Sequence, residues 1–330
     1  MSLLQKDHSI CVAGSNGMVG KSICKLLQKE GYSFQKKNLF KLTREDLDLS
    51  NFSKVKNWFY ISRPDVVIIS AAKVGGIMAN KKKPVDFLLE NLKIQNNLIE
   101  NSFNFGVKRL LFLGSSCIYP KFCKQPIKEN YLLSDHLEST NQWYAVAKIA
   151  GLKLCEAYRR QYNFDAISLM PTNLYGPGDN YDLKNSHVMP ALIRKFYEAK
   201  KNNLDTVTCW GSGKPLREFL YVEDLAEACL FALKHWNPNK NICAFDNDGS
   251  PLNWMNIGSG EEISIKNLAQ LIADIIDFQG EIIWDSKMPD GTPRKKLDTE
   301  LSNKLGWFPK TKIEDGIKKT IDFYINEKKY

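Results

Sequence analysis

A tyrosine and a lysine four residues apart are the pair in this chain best suited to moving a proton. Tyr144 and Lys148 lie within residues 141–151, and side chains four apart share one face of a helix. There the lysine ammonium is expected to lower the phenol pKa from about 10 toward neutrality, which makes a usable proton donor. The same spacing recurs after Tyr197 and after Tyr324, so spacing alone assigns no chemistry.

The order of motifs along the chain separates this pair from the other two. A glycine-rich segment, Gly14-Ser-Asn-Gly17-Met-Val-Gly20, comes near the start, and Ser115 follows a later apolar run. Tyr144 and Lys148 come after both. A nucleotide loop, a strand-end serine, and then a tyrosine and a lysine together indicate a nicotinamide-dependent enzyme.

The elements that position these residues alternate between strand and helix through the first half of the chain. This alternation predicts an α/β fold, a Rossmann-type doubly wound parallel sheet with sites at the carboxyl edge of the strands. The predicted strands are residues 9–14, 38–43, 65–71, 109–115 and 165–171. The predicted helices lie near residues 17–30, 51–60, 84–105, 140–162, 189–202 and 222–234.

The chain is expected to divide into two interwoven domains. Residues 1–176, with about 216–258, form the Rossmann domain that binds the nucleotide cofactor. About 177–215 and 259–330 form a smaller, C-terminal substrate domain. Within the latter, residues 285–293 are predicted to be a ligand-facing loop, whereas 237–253 are predicted to be a surface insertion.

Composition excludes several classes of protein. The 330 residues are 43% hydrophobic and 25% charged, which is ordinary for a globular protein. The net charge of +9 comes mostly from scattered lysines, without the arginine-rich stripe of a nucleic-acid binder. No apolar run approaches a membrane span, and no hydrophobic signal region is present, so a cytoplasmic location is expected. The eight cysteines form no CxxC pair, so reduced thiols and no metal site are expected.

The glycine segment and the end of the second strand predict how a dinucleotide binds. Glycines let the backbone approach a pyrophosphate at a helix N-terminus, and Gly-x-x-Gly-x-x-Gly is the spacing of extended short-chain dehydrogenases. Arg44 ends the second strand, with Lys41 nearby. A basic residue there suits the 2′-phosphate of NADP. The alternative is that Arg44 pairs with Asp46 on the surface.

Nearly end to end, the chain resembles the GDP-L-fucose synthase family of extended short-chain dehydrogenase/reductases. Dehydratases of the superfamily carry an Asp-Glu pair after the strand-end serine or threonine, and here those places hold neutral residues, including Cys117. The resemblance is carried by Ala71-Ala-Lys-Val-Gly-Gly-Ile77, Gly114-Ser-Ser-Cys-Ile-Tyr-Pro120, Tyr144-Ala-Val-Ala-Lys-Ile-Ala-Gly151, Pro171-Thr-Asn-Leu-Tyr-Gly-Pro177, Asn185-Ser-His187, Pro215-Leu-Arg-Glu-Phe219 and Pro289-Asp-Gly-Thr-Pro-Arg-Lys295.

The resemblance implies a bifunctional, NADPH-dependent 3,5-epimerase/4-reductase that converts GDP-4-keto-6-deoxy-D-mannose to GDP-L-fucose. It also implies a homodimer formed through the helices near 84–105 and 140–162. Ser115, Tyr144 and Lys148 correspond to the catalytic triad, and Cys117 and His187 to the acid/base pair of the epimerisation. A C4 ketone acidifies the hydrogens at C3 and C5. Thiol and imidazole pKa values, about 8.5 and 6.5, straddle neutrality and suit the exchange of those hydrogens.

The resemblance further implies the residues that bind the two ligands. Asn16 stands where some relatives have an arginine, which weakens the NADP prediction, and Lys195 replaces an arginine and loses its bidentate fork. Substrate contacts are expected from Lys195, Trp210, Arg217 and Asp290. Cofactor contacts are expected from Gly14, Ser15, Asn16, Gly17, Met18, Val19, Gly20, Arg44, Asp48, Leu113, Gly114, Ser115, Ser116, Lys148, Pro171, Thr172, Asn173, Leu174 and His187.

Three other functions stay open at this stage. The same residues would serve a related keto-deoxy sugar, such as the colitose precursor or a GDP-heptose. An NAD-retaining 4-epimerase is disfavoured because it needs no cysteine–histidine pair. A non-catalytic, nucleotide-sensing relative is disfavoured because a sensor has no need for all five catalytic side chains.

Overall fold

The computed structural model describes residues 2–183, 186–288 and 290–327. Its strands are β1 Ile10–Ala13, β2 Leu39–Leu42, β3 Val66–Ile69, β4 Arg109–Leu113, β5 Ala166–Pro171, β6 Asn173–Tyr175, β7 Thr206–Trp210, β8 Leu216–Tyr221, β9 Trp254–Ile257, β10 Glu262–Ser264, β11 Glu281–Asp285 and β12 Arg294–Lys295. Its helices are α1 Met18–Lys29, α2 Phe52–Ser62, α3 Ile77–Lys82, α4 Asn91–Asn104, α5 Gln142–Tyr162, α6 Val188–Lys201, α7 Val222–His235, α8 Ile265–Ile276, α9 Glu300–Lys304 and α10 Ile313–Glu327.

Six parallel strands form the central sheet, in the order β2-β1-β3-β4-β5-β9. The five strands predicted from apolar runs fall on β1 to β5. β1, β3, β4 and β5 are buried along their whole length because helices cover both faces of the sheet, and a strand buried on both sides has no polar face. β2, at the edge of the sheet, exposes Lys41. The chain crosses from β2 over β1 to β3, so the switch point lies between β1 and β3. This is the predicted Rossmann-type, doubly wound fold, and the prediction is confirmed.

The two faces of the sheet build separate hydrophobic cores. On one face α1 and α7 pack against inward-pointing residues such as Val12 and Leu111. On the other, α2, α4 and α5 pack against the alternate residues, such as Val67 and Phe112. Alternation along each strand therefore fixes the register, because a slip of one residue would exchange the two cores.

The later part of the chain builds a third hydrophobic core. It gathers side chains from α6, α8, α10 and β7, including Phe196, Ile272 and Ile321. β8 joins it to the main sheet domain, since Leu220 packs into the first core whereas Phe219 and Tyr221 pack into the third. The division at residues 1–176 and about 216–258 remains a prediction. β8 contributes side chains to both cores, which is why we expect the two domains to interweave.

Two negative findings apply to the described ranges. No helix within them is long and apolar enough to cross a membrane. Nor do their His, Cys, Asp and Glu side chains gather into a group of three or more that could hold a metal ion.

Candidate active site

The glycine segment forms a tight turn directly after β1, at the switch point. Gly14 has φ +86°, and a β-carbon there would lie 2.6 Å from the backbone nitrogen of Ala71. A β-carbon on Gly20 would lie 2.1 Å from the Gly14 carbonyl oxygen. Gly17 caps α1 without a side chain, which leaves the first N–H groups of the helix open to a ligand.

This turn fits the pyrophosphate of a dinucleotide. The hydroxyl of Ser15 is buried within the turn and has no hydrogen-bond partner among the described residues. Burying a hydroxyl costs free energy unless it forms a hydrogen bond, so a ligand oxygen that accepts a hydrogen bond from Ser15 would stabilise the turn. Asn16 is exposed beside it, while Met18 and Val19 begin α1.

The end of β2 presents an exposed arginine. Arg44 has 90% of its side chain exposed and lies 3.7 Å from the carboxylate of Glu90. Asp46 instead accepts hydrogen bonds from the backbone and hydroxyl of Thr43, so the predicted alternative, an Arg44–Asp46 pair, is wrong. The Asp48 carboxylate, predicted to contact the cofactor, accepts two bonds from Ser50. The exposed guanidinium of Arg44 is thus available to a 2′-phosphate.

The predicted serine, tyrosine and lysine gather at the carboxyl end of β4. Ser115 follows the strand, and its hydroxyl accepts a 3.2 Å hydrogen bond from the Cys117 backbone N–H. Tyr144 and Lys148 extend from α5, which packs against this turn. Lys148 is buried, its ammonium donates a 2.8 Å bond to the Leu113 carbonyl, and it lies 5.9 Å from the Tyr144 ring centroid.

The predicted acidification of Tyr144 is wrong in this structure. Burial raises the phenol pKa above its ordinary value, the Cys117 charge adds to the increase, and a hydrogen bond with Ser115 opposes it. Lys148 does not reverse the effect, because burial lowers its own pKa to about 8 and its ammonium donates its hydrogen bond to the Leu113 carbonyl. Spacing along a helix does not reveal burial, and burial decides both values.

Cys117 lies beside Lys295, a residue to which the resemblance gives no role. The ammonium of Lys295, on β12, donates a 3.3 Å hydrogen bond to the Cys117 sulfur. Burial raises the thiol pKa, but Lys295, the Ser115 hydrogen bond and the Arg217 charge outweigh burial, so the net pKa is lowered. Lys295 ends the segment Pro289-Asp-Gly-Thr-Pro-Arg-Lys295, which could have drawn attention to it.

His187 lies at the start of α6, with its side chain accessible to solvent. It makes no capping hydrogen bond in the part of the chain that the structure describes. The surrounding protein nevertheless lowers its pKa by desolvation, and the Lys295 charge lowers it further. The same lysine therefore acts on both members of the predicted acid/base pair. Asn185 and Pro289, two residues of the segments that carry the resemblance, lie outside the described residues.

The predicted substrate residues form two small groups. The Lys195 ammonium lies 5.4 Å from the Trp210 ring centroid and donates a 2.7 Å bond to the Thr208 carbonyl. Arg217 donates a 3.3 Å bond to the backbone carbonyl of Asp290. The Asp290 carboxylate accepts bonds of 2.7 and 2.8 Å from Ser212. The sequence did not indicate the latter contact.

The remaining predicted cofactor residues lie at the neighbouring ends of β4 and β5. Leu113 is paired with Leu169, and the N–H of Gly114 donates to the carbonyl of that same leucine. Thr172 and Asn173 both donate to the Glu218 backbone carbonyl, at 3.2 and 2.8 Å. The others at these strand ends are Ser116, Pro171 and Leu174.

A dinucleotide turn after β1, at the switch point, combined with a serine, tyrosine and lysine at the carboxyl end of β4, is the arrangement of a nicotinamide-dependent reductase or epimerase. The chain belongs to the NAD dependent epimerase/dehydratase family, whose model matches residues 10–243. It is 50% identical over 324 residues to GDP-L-fucose synthase 1 of Arabidopsis thaliana, covering 98% of this chain and 95% of that relative.

Solved structures agree with this assignment. A GDP-6-OMe-4-keto-L-xylo-heptose reductase from Campylobacter jejuni superposes with a TM-score of 0.90 at 34% identity, covering 98% of this chain and 99% of that one. A GDP-L-fucose synthetase from Naegleria fowleri bound to NADP gives 0.84 at 29% identity, covering 99% and 96%. These similarities place the chain among the nicotinamide-dependent epimerases and reductases of that family.

Proposed function

We propose that this enzyme inverts C3 and C5 of GDP-4-keto-6-deoxy-D-mannose and then reduces C4, which yields GDP-L-fucose. The proposal rests on one observation: a single turn carries a residue for the reduction and a residue for the epimerisation. Ser115, which bonds Tyr144, is separated by one residue from Cys117, which bonds Lys295. A reductase that only moves hydride has no need for an activated thiol there. The 50% identity to a GDP-L-fucose synthase over nearly the whole chain supports the choice of sugar.

The epimerisation steps use the acidity that the C4 ketone gives to its neighbouring carbons. The Cys117 thiolate takes a ring proton, and the C–H electron pair moves into the ketone to form an enolate. Ser115 and Tyr144 donate hydrogen bonds to the enolate oxygen. The imidazolium form of His187, which the lowered pKa makes a stronger acid, returns a proton to the opposite face, becomes neutral imidazole and so inverts the centre.

The reduction step uses Tyr144 as the proton donor. When bound, NADPH supplies the hydride that C4 receives. The raised phenol pKa keeps Tyr144 protonated at neutral pH, so the proton is present when O4 becomes an alkoxide, a far stronger base. Lys148, beneath the tyrosine on α5, would hold the cofactor, together with the glycine turn and Arg44.

A related sugar is the second candidate substrate. The Campylobacter jejuni neighbour is a reductase of a GDP-4-keto heptose, and the colitose precursor would use the same residues. The identity of 34% to that reductase, against 50% to the Arabidopsis synthase, favours the fucose precursor.

A substrate panel tests the proposal. NADPH oxidation is followed with GDP-4-keto-6-deoxy-D-mannose, a GDP-4-keto heptose and the colitose precursor, and the products are identified by NMR. The proposal expects the highest kcat/KM and an L-fuco product with the first. Faster turnover of another sugar would reassign the substrate. Stabilisation by the nucleotide sugar with no NADPH oxidation in any reaction would favour the nucleotide-sensing alternative.

We infer that the enzyme is a homodimer in the cytoplasm. Helix faces near residues 84–105 and 140–162 expose apolar side chains, among them Val85 (67%), Leu89 (45%), Trp143 (39%) and Val146 (42%). A second copy would cover such a surface. All eight cysteines are free thiols, which supports a reducing compartment. Sedimentation of the purified enzyme measures the mass and decides the oligomeric state.

A further inference from the structure

Lys295 contacts the sulfur of Cys117, and neither the sequence nor the resemblance assigns Lys295 a role in the site. The ammonium donates directly to the sulfur at 3.3 Å. Five of the other cysteines are fully buried, and for Cys11 burial is the leading cause of a raised pKa. Cys117 is partly accessible, and its pKa shifts the other way. The lysine therefore gives this thiol a different chemistry from the buried ones.

The backbone of Lys295 is fixed by contacts on three sides. β12 pairs in parallel with β8, so that Lys295 lies opposite Arg217. The preceding residue, Arg294, forms a two-bond ion pair with Glu262 at 2.8 and 2.6 Å. The following residue, Lys296, donates its backbone N–H to the Gln125 side chain at 2.8 Å. A two-residue strand would not hold its position alone, and these contacts supply the rigidity.

Other charged or titratable groups also face the thiol or share its cavity. Arg217 approaches from β8 and Tyr144 from α5. Glu138 and Lys121 line the cavity next to Cys117, but they bond to each other at 2.7 Å and largely cancel. Arg294 lines it too, with its charge taken up by Glu262. Among these described groups, Lys295 is the cation that donates to the sulfur.

We propose that Lys295 is the positioning residue of the epimerisation, and that its ammonium holds the Cys117 sulfur as a thiolate ready to take a ring proton. The inference rests on the proposed function and deepens it. The step balances internally: the C–H bond breaks, the S–H bond forms, and the electron pair goes to the ketone oxygen. Lys295 keeps its own protons and acts only through its charge and hydrogen bond.

The test measures Cys117 in the substrate-free enzyme. The alkylation rate of Cys117 by iodoacetamide is followed by mass spectrometry from pH 5 to pH 10, because the thiolate is the form that reacts. Lys295→Met should move the midpoint upward by at least about one pH unit, which slows alkylation about tenfold below the midpoint. Lys295→Arg keeps the charge and should retain most of the wild-type profile.

Lys296→Met is the matched control, because it removes a lysine from the same segment without touching the sulfur. Its alkylation profile should match that of the wild type. If Lys295→Met does not fold, as judged by thermal melting and NADPH binding, Lys295→Gln takes its place. An unchanged midpoint in the folded Lys295 variant would overturn the proposal.

The assay separates this inference from the proposed function. Alkylation needs no sugar, so a wild-type enzyme that fails to epimerise would refute the function and leave the Lys295–Cys117 result standing. Conversely, an unchanged midpoint in an enzyme that makes GDP-L-fucose would refute only the role of Lys295. As a second readout, hydrogen exchange at C3 and C5 in Lys295→Met should recover as the pH rises, whereas a purely structural defect would not recover.

Discussion

The ammonium of Lys148 donates a 2.8 Å hydrogen bond to the carbonyl of Leu113, the last residue of β4. This bond links the catalytic helix to the strand edge. It also holds the ammonium 5.9 Å from the Tyr144 ring centroid. The main contribution of Lys148 to the site is therefore to hold α5 against the end of β4. The phenol keeps its proton because it is buried, and the reduction step requires that proton.

Removing the phenol hydroxyl should abolish most of the reduction while the fold remains. General acid catalysis contributes about 10²–10⁴-fold, so Tyr144→Phe should lower kcat for NADPH oxidation by roughly that factor. NADPH affinity, measured by fluorescence titration, should change little. Tyr197→Phe is the control, because Tyr197 has the same spacing to a lysine but packs on Tyr324 in another core. Near-normal turnover in Tyr144→Phe would remove that residue from the reaction.

Arg44 should determine the preference for NADPH over NADH. Its guanidinium is exposed and lies 3.7 Å from the carboxylate of Glu90. A charge-assisted bond to the 2′-phosphate contributes about 1.5–3 kcal/mol. Arg44→Ala should lose that amount in NADPH binding and leave NADH binding unchanged, which serves as the internal control. Equal binding of the two cofactors by the wild type would refute the assignment, and Asn16, where some relatives have arginine, is then the cause to examine.

The buried lysine predicts a specific dependence of stability on pH. Burial lowers the Lys148 pKa from 10.5 to about 8. Between these values the unfolded chain binds more protons than the folded one, so stability rises with pH. The stability of Lys148→Met relative to the wild type should therefore be higher below pH 8 than above pH 10.5, by up to roughly 3 kcal/mol.

The Lys148→Met advantage should shrink as the pH approaches 10.5. Denaturant melts of both proteins at several pH values measure it. Lys153→Met, on the exposed side of the same helix, should lack this trend, since Lys153 pairs with Glu156 near the surface. A wild type that stays more stable than Lys148→Met at every pH would show that the Leu113 bond outweighs the burial cost.

The sequence predicted β1, β3, β4 and β5 well because each is buried along its whole length and is therefore a largely apolar run. The edge strand β2 was also predicted, although it exposes Lys41. The sequence did not predict β9, whose run is interrupted by Asn256. In the structure Asn256 is fully buried and satisfied by Tyr119 and Ile127, at 2.6 and 2.9 Å. In a sequence, a buried asparagine whose side chain is satisfied by tertiary hydrogen bonds looks the same as an asparagine in a loop.

The site residues were foreseen through resemblance, whereas their electrostatics were not. Ser115 and Cys117 meet because one turn connects them, which the sequence displays directly. Cys117 and Lys295 are far apart in the sequence, and the pairing of β12 with β8 places Lys295 near the thiol. β12 has two residues, which are too few to predict a strand from the sequence. The raised pKa of Tyr144 likewise depends on burial by distant parts of the chain.

Solvent deuterium incorporation tests the central claim, that Cys117 serves proton exchange and Tyr144 serves reduction, most directly. With the 4-keto sugar and NADPH in D₂O, the wild type should place deuterium at both C3 and C5 of the product. Cys117→Ser replaces the thiol with a hydroxyl that does not ionise near neutrality, so exchange should fall steeply. Slow reduction should then give mostly the unepimerised sugar. Exchange of both hydrogens by Cys117→Ser at the wild-type rate would contradict the account and make Cys117 a packing residue.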